Sequence, residues 1–189
     1  LHDSVNQTIF AASTLADLLP RAIERKPEKV AEYATSIQQL THGATAEMRL
    51  VLLELYPDAL TETDLGTLLK HLCQAFTGVT GTPVTTNLSA QVILTPEAHI
   101  ACYRIAQEAL NNISKHTQAN NVSVTLNQFN DRVELSITDN GQGFDMSQTP
   151  SDHFGLQNMC TRAADAGLSL DITSHIDTGT IVKLVKVIS

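Results

Sequence analysis

Residues 137–145 read ITDNGQGFD. They end an alternating run, RVELSIT (132–138), and Asn140-Gly141 after such a run is the strongest short hairpin signal a sequence carries. A hairpin would send the chain straight into a second strand. Instead Gly143, Phe144 and Asp145 follow, and then the polar run MSQTPSD (146–152). The stretch therefore reads as a sharp turn that opens a loop shaped around a ligand, and what flanks it sets the fold.

Working outward, three more period-2 runs predict strands: VSVTL (122–126), LSLDITS (168–174) and TIVKLVKV (180–187). The run at 122–126 pairs with 132–138 across NQFND (127–131). A helix over 156–166 separates the strand at 132–138 from that at 168–174. TPVTTNLSA (82–90) suits an edge strand, and 65–76 a short helix. Thr95-Pro96-Glu97 opens a long helix, with Thr95 as its cap. The fold class is α+β, with helices on one face of a mostly antiparallel sheet.

Upstream the grammar changes. Residues 1–56 contain one glycine, Gly43, and apolar residues at helical spacing: Val5, Ile9, Ala12, Leu15 and Leu19, then Ile37, Leu40, Ala44, Met48, Val51 and Leu55. The charged run RAIERKPEK (21–29) interrupts them, and Pro27 suits the first turn of a new helix. Two antiparallel helices joined near 23–28 are expected, with Pro20 kinking or ending the first. Such a hairpin must pack on the rest of the chain or on a second copy, and a four-helix bundle in the dimer is preferred. YPDALTETD (56–64) marks a boundary, giving domains at 1–58 and 59–189.

Composition narrows the function. Of the 189 residues 42% are hydrophobic, enough for a packed core, and with aromatics at 4% that core must be aliphatic. A net charge of −8 argues against direct nucleic acid binding, which needs a basic surface. No apolar run approaches the roughly 20 residues that span a bilayer, so no membrane segment is expected within this stretch. There is no signal peptide, and the start at Leu1 suggests a piece of a longer protein. Cys73, Cys102 and Cys160 show no metal or redox spacing and read as reduced core thiols.

The long helix carries a polar line. At about 100° per residue, Tyr103, Ala106, Leu110 and Ile113 share the buried face. Glu108, Asn112 and His116 are spaced i, i+4, i+8 on the far side, with Lys115, Ile105 and Ala109 beside them. A carboxylate, an amide and an imidazole in line suit a hydrated divalent cation and phosphates, since Mg²⁺ takes only one or two protein oxygens. The apolar neighbours suit a pocket floor. The glycines form a second set: Gly141 and Gly143 after Asp139, Gly155 at a helix start, and Gly179-Thr180 at the last strand. Glycine permits close approach to a ligand. Asp139 at a strand end suits an amino group such as adenine's, and Gly155 offers free N–H groups to phosphate. Neither a P-loop nor a dinucleotide fingerprint is present.

In this order, YRIAQEALNNISKH (103–116), DNGQGFD (139–145), FGLQNM (154–159) and Gly179-Thr180 resemble the ATP-binding module of sensor histidine kinases, a Bergerat (GHKL) fold. LHDSVNQ (1–7) and EMRLVLLELYPDAL (47–60) resemble the dimerisation and phosphoacceptor helices of the subfamily containing the nitrate-responsive and lipid-fluidity sensor kinases. The likeness covers nearly the whole chain.

The resemblance implies ATP and Mg²⁺ as cofactors, with Asn112 the Mg²⁺ ligand and Glu108 positioning metal or water. It places Lys115 and His116 near the phosphates. Asp139 accepts from the adenine amino group, Gly141 and Gly143 shape the adenine pocket, Gly155 and Leu156 close the lid, and Thr180 backs the adenine site. His2 is the implied phosphoacceptor, Asp3 orients it or takes its proton, and Gln7 positions water for dephosphorylating the partner. A homodimer and a response-regulator receiver domain are the implied partners, and a cytoplasmic catalytic region the implied location, with an upstream membrane anchor left open. Two departures stand out: His153 and Asp177 occupy positions where the family usually or often has glycine. A nucleotide-gated interaction module without phosphotransfer stays open as a second function, and His153 is the feature that favours it. An anti-sigma-type serine kinase is the third, and HDSVNQ (2–7) argues against it.

Overall fold

The computed structural model describes residues 2–55, 58–89, 91–145 and 154–188, with side chains described throughout except at 2–7, 42, 46–47, 49–55, 58–59 and 154. The elements in order are α1 (His2–Arg25), a 3₁₀ turn (Pro27–Lys29), α2 (Val30–Leu55), α3 (Asp58–Glu62), α4 (Leu65–Thr80), β1 (Val84–Leu88), α5 (Pro96–His116), β2 (Val122–Gln128), β3 (Arg132–Asp139), α6 (Phe154–Asp165), β4 (Ser169–His175) and β5 (Gly179–Val187).

The described strands form one sheet in the order β1-β2-β3-β5-β4. Only β1–β2 is parallel, with α5 as its crossover, and the other three pairs are antiparallel. Alternation puts Val122, Val124 and Leu126 of β2 and Val133, Leu135 and Ile137 of β3 on one buried face. That face packs under α4, α5 and α6 in a single aliphatic core. The other face is lined by half-exposed Ser, Thr and charged residues, where Glu134 pairs with Arg132 at 2.6 Å and Lys183 at 3.2 Å. The two-layer α+β fold is as the alternating runs predict.

Local chemistry sets the helix ends. The Thr95 hydroxyl accepts the Ala98 N–H at 3.3 Å, with Pro96 in the first turn, so α5 starts where the cap signal places it. Asp64 caps α4 by accepting the Thr67 N–H at 2.8 Å. Pro27 lies in the 3₁₀ turn as expected of a helix opener.

Two expectations need correction. Pro20 does not end α1, which runs on to Arg25. Packing along the α1–α2 seam, where Ala12 and Ala22 are buried, offsets the lost hydrogen bond. And α4 does not stop at Phe76 but continues through Gly78 to Thr80, ending at Gly81 in the left-handed conformation.

Gly78 looks like a breaker but is a contact. It meets Gly43 of α2, and a Cβ built on Gly78 would lie 2.5 Å from the Gly43 Cα. The helical hairpin thus packs on the rest of its own chain through α4, the arrangement set second to a four-helix bundle. It still leaves Ile9, Phe10, Ile23 and Met48 exposed.

Cys73 and Cys102 are free and buried, their thiols pushed up to about 12 by desolvation. Cys160 departs from the core assignment and is exposed on α6.

The glycine crossing generates a test. Alanine at 78 gains about 1 kcal/mol of helix propensity but forces overpacking that costs about 1–3 kcal/mol. Gly78→Ala should therefore lower the urea midpoint, and Gly78→Leu should lower it much further. A midpoint raised by Gly78→Ala would mean the two helices are not in close contact.

Candidate functional site

The site begins with one side chain. The period of β3 turns Val133, Leu135, Ile137 and Asp139 to the same buried face. A carboxylate thus occupies the last inward position of the central strand and is only 3% exposed. Its Oδ1 accepts the Gly141 N–H at 2.8 Å. Its Oδ2 is buried and has no hydrogen-bond partner. Burial raises the carboxyl's pKa. The Gly141 N–H, the Thr117 hydroxyl beside it and the Thr180 amide pull it down, and burial wins.

Asp139 faces a cavity of about 440 Å³ between the helix layer and the sheet. Ala109 and Ile113 of α5, Ile137 of β3, Ile172 of β4, Val182 of β5, and Leu156 and Met159 of α6 make its walls apolar. Polar groups stand at two places. One is Asp139 with Thr180 and Thr117. The other is the α5 line of Glu108, Asn112 and His116, which all face the cavity. Glu108 stands nine positions before Thr117, about 13.5 Å of rise at 1.5 Å per residue, with Asn112 and His116 between them.

The loop after Asp139 is held open by specific bonds. The Asn140 Oδ1 accepts the Asn121 N–H at 3.0 Å and the Asn120 N–H at 3.2 Å, while its Nδ2 donates to the Asn120 Oδ1 at 2.8 Å. The Gln142 N–H donates to the Thr117 carbonyl at 2.8 Å, and its side-chain amide donates to the His116 carbonyl. Asn140 thus ties the end of β3 to the turn before β2, and Gln142 ties the loop to the end of α5, instead of the chain turning into a partner strand. Gly143 follows with φ +57°, and a Cβ there would fall inside the His175 carbonyl, so only glycine fits.

Gly155 lies against Glu108: a Cβ built on it would be 2.5 Å from the Glu108 Oε1 and 3.7 Å from the Asn112 Nδ2. The start of α6 is thereby brought onto the polar line of α5. The Asp177 departure also has an explanation. Asp177 adopts φ +62°, the conformation glycine takes freely and aspartate tolerates, and its N–H donates to the Gln142 carbonyl at 2.7 Å. His153 lies outside the described residues.

The structure brings together Glu108, Asn112, His116, Asp139, Gly143, Gly155, Leu156 and Thr180. Gly141 stands behind them, buried and bonded to Asp139. Lys115 is exposed and does not line the cavity, its position on α5 turning it outward beside the stripe. His2, Asp3 and Gln7 belong to the first two turns of α1, and their side chains lie outside the described residues. Among the described residues no cluster of three or more His, Cys, Asp or Glu could hold a metal. A cation here would need ligand or water oxygens to complete its shell, as Mg²⁺ accepts.

Sequence reasoning missed Thr117, Gln142, Phe144 and Ser174. Ser174 carried a usable signal: it shares the inward face of β4 with Leu170 and Ile172, so its hydroxyl must find partners in the core.

Known proteins resemble this chain in both parts. Residues 1–60 match a family described as histidine kinase, and 97–187 match the histidine kinase-, DNA gyrase B- and HSP90-like ATPases. The sensor histidine kinase LiaS of Bacillus subtilis is 30% identical over 185 residues, covering 97% of this chain and 51% of the relative. The sensor protein VraS of Staphylococcus aureus is 31% identical over 187 residues, covering 97% and 52%. The chain thus spans about half the length of these curated relatives. In structure it resembles the histidine kinase domain of the Erythrobacter litoralis blue-light activated histidine kinase. The TM-score is 0.58 at 17% identity, covering 95% of this chain and 93% of that one.

The buried carboxyl makes a pH prediction. Its folded pKa lies above the reference 3.8, so the folded ligand-free chain holds this proton more tightly than the unfolded chain. Asp139 therefore contributes stability below pH 3.8 that is lost as pH rises through its folded pKa. A ¹³C carboxyl titration should show one aspartate with its midpoint above 3.8, absent in Asp139→Asn. A midpoint at or below 3.8 would mean the carboxyl is not desolvated.

Proposed function

Because the chain belongs to the sensor histidine kinases of two-component systems, we propose that it binds ATP in this cavity and transfers the γ-phosphoryl group to His2. The phosphoryl group then passes to an aspartate on a response-regulator receiver domain. The observation that carries this proposal is the buried, unpartnered Asp139 Oδ2 facing an apolar cavity that the polar line of α5, from His116 back to Glu108, also faces.

The residues fit the nucleotide. Asp139, in its ionised form, accepts from the adenine amino group, which supplies the donor its Oδ2 lacks. The apolar walls take the faces of the base. Asn112 would hold Mg²⁺, and Glu108 would position the metal or its waters. When bound, Mg-ATP supplies the phosphoryl group and the cation that neutralises charge on it. His116 faces the phosphate end, Gly155 and Leu156 form the lid's edge, and Gly141 and Gly143 shape the base end. Lys115 acts at most from outside the cavity, as a diffuse positive charge.

At the acceptor, the neutral imidazole of His2 attacks phosphorus with its free nitrogen. Asp3 hydrogen-bonds the other ring nitrogen, raises its basicity and receives its proton. Gln7 positions water to hydrolyse the partner's aspartyl phosphate, releasing inorganic phosphate, a phosphatase activity. Residues 1–58 serve as dimerisation and phosphoacceptor helices and 59–189 as the catalytic module. A homodimer follows from the apolar residues that α1 and α2 leave uncovered, which a second copy would bury in a four-helix bundle. No described helix is long and apolar enough to cross a membrane. The family resemblance suggests a cytoplasmic catalytic region of a longer sensor.

Incubation with labelled Mg-ATP should give base-stable, acid-labile phosphate on the chain. His2→Gln should abolish the label while keeping ATP affinity within about threefold. Asn112→Ala should cut the rate at least 100-fold, about 2.7 kcal/mol of barrier. Label that persists in His2→Gln rules His2 out as acceptor. ATP binding without any phosphohistidine in the dimer would instead mark a nucleotide-gated interaction module.

A further inference from the structure

Ser174 has no place in the mechanism above, yet it is among the few buried polar residues, only 5% exposed. It does not line the cavity. It stands opposite Thr180 in the β4–β5 ladder, and Thr180 does line it. Three contacts meet at the Ser174 Oγ. It accepts the Phe144 N–H at 3.0 Å, lies 3.2 Å from the Gly179 carbonyl oxygen, and lies 2.9 Å from the Thr180 Oγ1.

Counting protons orders these contacts. An amide N–H only donates and a carbonyl oxygen only accepts, while each hydroxyl has one proton and two lone pairs. The Gly179 carbonyl therefore takes the Ser174 proton. The contact between the two hydroxyls must then be made with the Thr180 proton, which points back at Ser174 and away from the cavity.

We propose that Ser174 is a positioning residue for base selection: it commits the Thr180 proton, so Thr180 meets a bound base only as an acceptor. Together with the Asp139 Oδ2 this sets two acceptors at the base end, where the Thr117 proton is already taken by the Ile113 carbonyl at 3.2 Å. A 6-amino group offers such a site two protons, whereas a 6-oxo purine offers only its N1–H and sets its carbonyl against lone pairs. A site that leaves polar groups unpaired against the wrong substrate discriminates strongly. The inference rests on the assignment of the cavity to ATP.

The test is calorimetric titration of the unaltered chain with Mg-ATP and, separately, Mg-inosine triphosphate. ATP should bind at least 100-fold more tightly. Ser174→Ala frees the Thr180 proton to meet a 6-oxo group, so the preference should fall at least tenfold, mainly through gained affinity for inosine triphosphate. Ser174→Thr, which restores the hydroxyl, should recover the preference. Ser174→Cys keeps the volume with a poor acceptor and should lower the preference in the same direction, which covers the case where the alanine variant does not fold. Equal weakening of both nucleotides in the Ala and Cys variants would overturn the proposal and leave Ser174 a packing residue. An unaltered chain that binds ATP without preferring it would also overturn the proposal while leaving the ATP assignment intact. If neither nucleotide binds the unaltered chain, the cavity is not an adenine site and both fall.

Discussion

A carboxylate on the inward face of a central strand is a costly arrangement, and the site is organised around it. Asp139 sits where the pattern of β3 calls for a fourth aliphatic residue. One oxygen is satisfied by the Gly141 N–H, the other by nothing in the protein. Burying an unmatched polar group costs about 1–3 kcal/mol. The carboxyl stands at the gap between α5, α6 and the sheet, which is the cavity.

The surrounding elements hold that gap by backbone means more than by side-chain bulk. Asn140 and Gln142 tie the loop after β3 to the last residues of α5 and the turn beyond it. The base end is therefore fixed to the helix that also carries Glu108 and Asn112. On the other side, Asp177 donates its N–H to Gln142 and Phe144 donates to Ser174, fastening the same loop to the β4–β5 hairpin. Asp139, α5 and the β4–β5 turn thus share one set of hydrogen bonds. Displacing one displaces the geometry of the others.

Much of this was legible in the sequence because it rests on periodicity. The strands follow from alternation, and α5 from its Thr95-Pro96 start and its buried face. Asp139 and the line Glu108–Asn112–His116 can be found because each is a polar residue at a regular position that the pattern would leave apolar or unremarkable. Illegible were the features that depend on what packs from elsewhere. Gly78 looks like a helix end until Gly43 is seen lying against it, 35 residues away in the chain. Pro20 looks like a break until α2 is placed along the seam. Lys115 is adjacent to the polar line in sequence, but one residue turns a helix by about 100°, enough to take it out of the cavity. The Asn-Gly signal reported a sharp turn correctly. It held no information on whether a strand would follow.

Why the protein keeps a carboxylate at 139 and not an amide follows from the acceptor count. Asparagine would offer one acceptor, which the Gly141 N–H would take, and would turn an amide donor toward the cavity. The result would be a site for a base carbonyl, the opposite polarity. Only an ionised carboxyl leaves a second acceptor free after satisfying Gly141. Its raised pKa measures the cost of holding that charge in the core. The adenine role proposed for it would need that charge, so burial can go only as far as the nearby donors compensate. Thr117, Gly141 and the Thr180 amide supply that compensation. They leave the Oδ2 without a partner, and a ligand donor that filled it would return on binding the stability withheld from the empty fold.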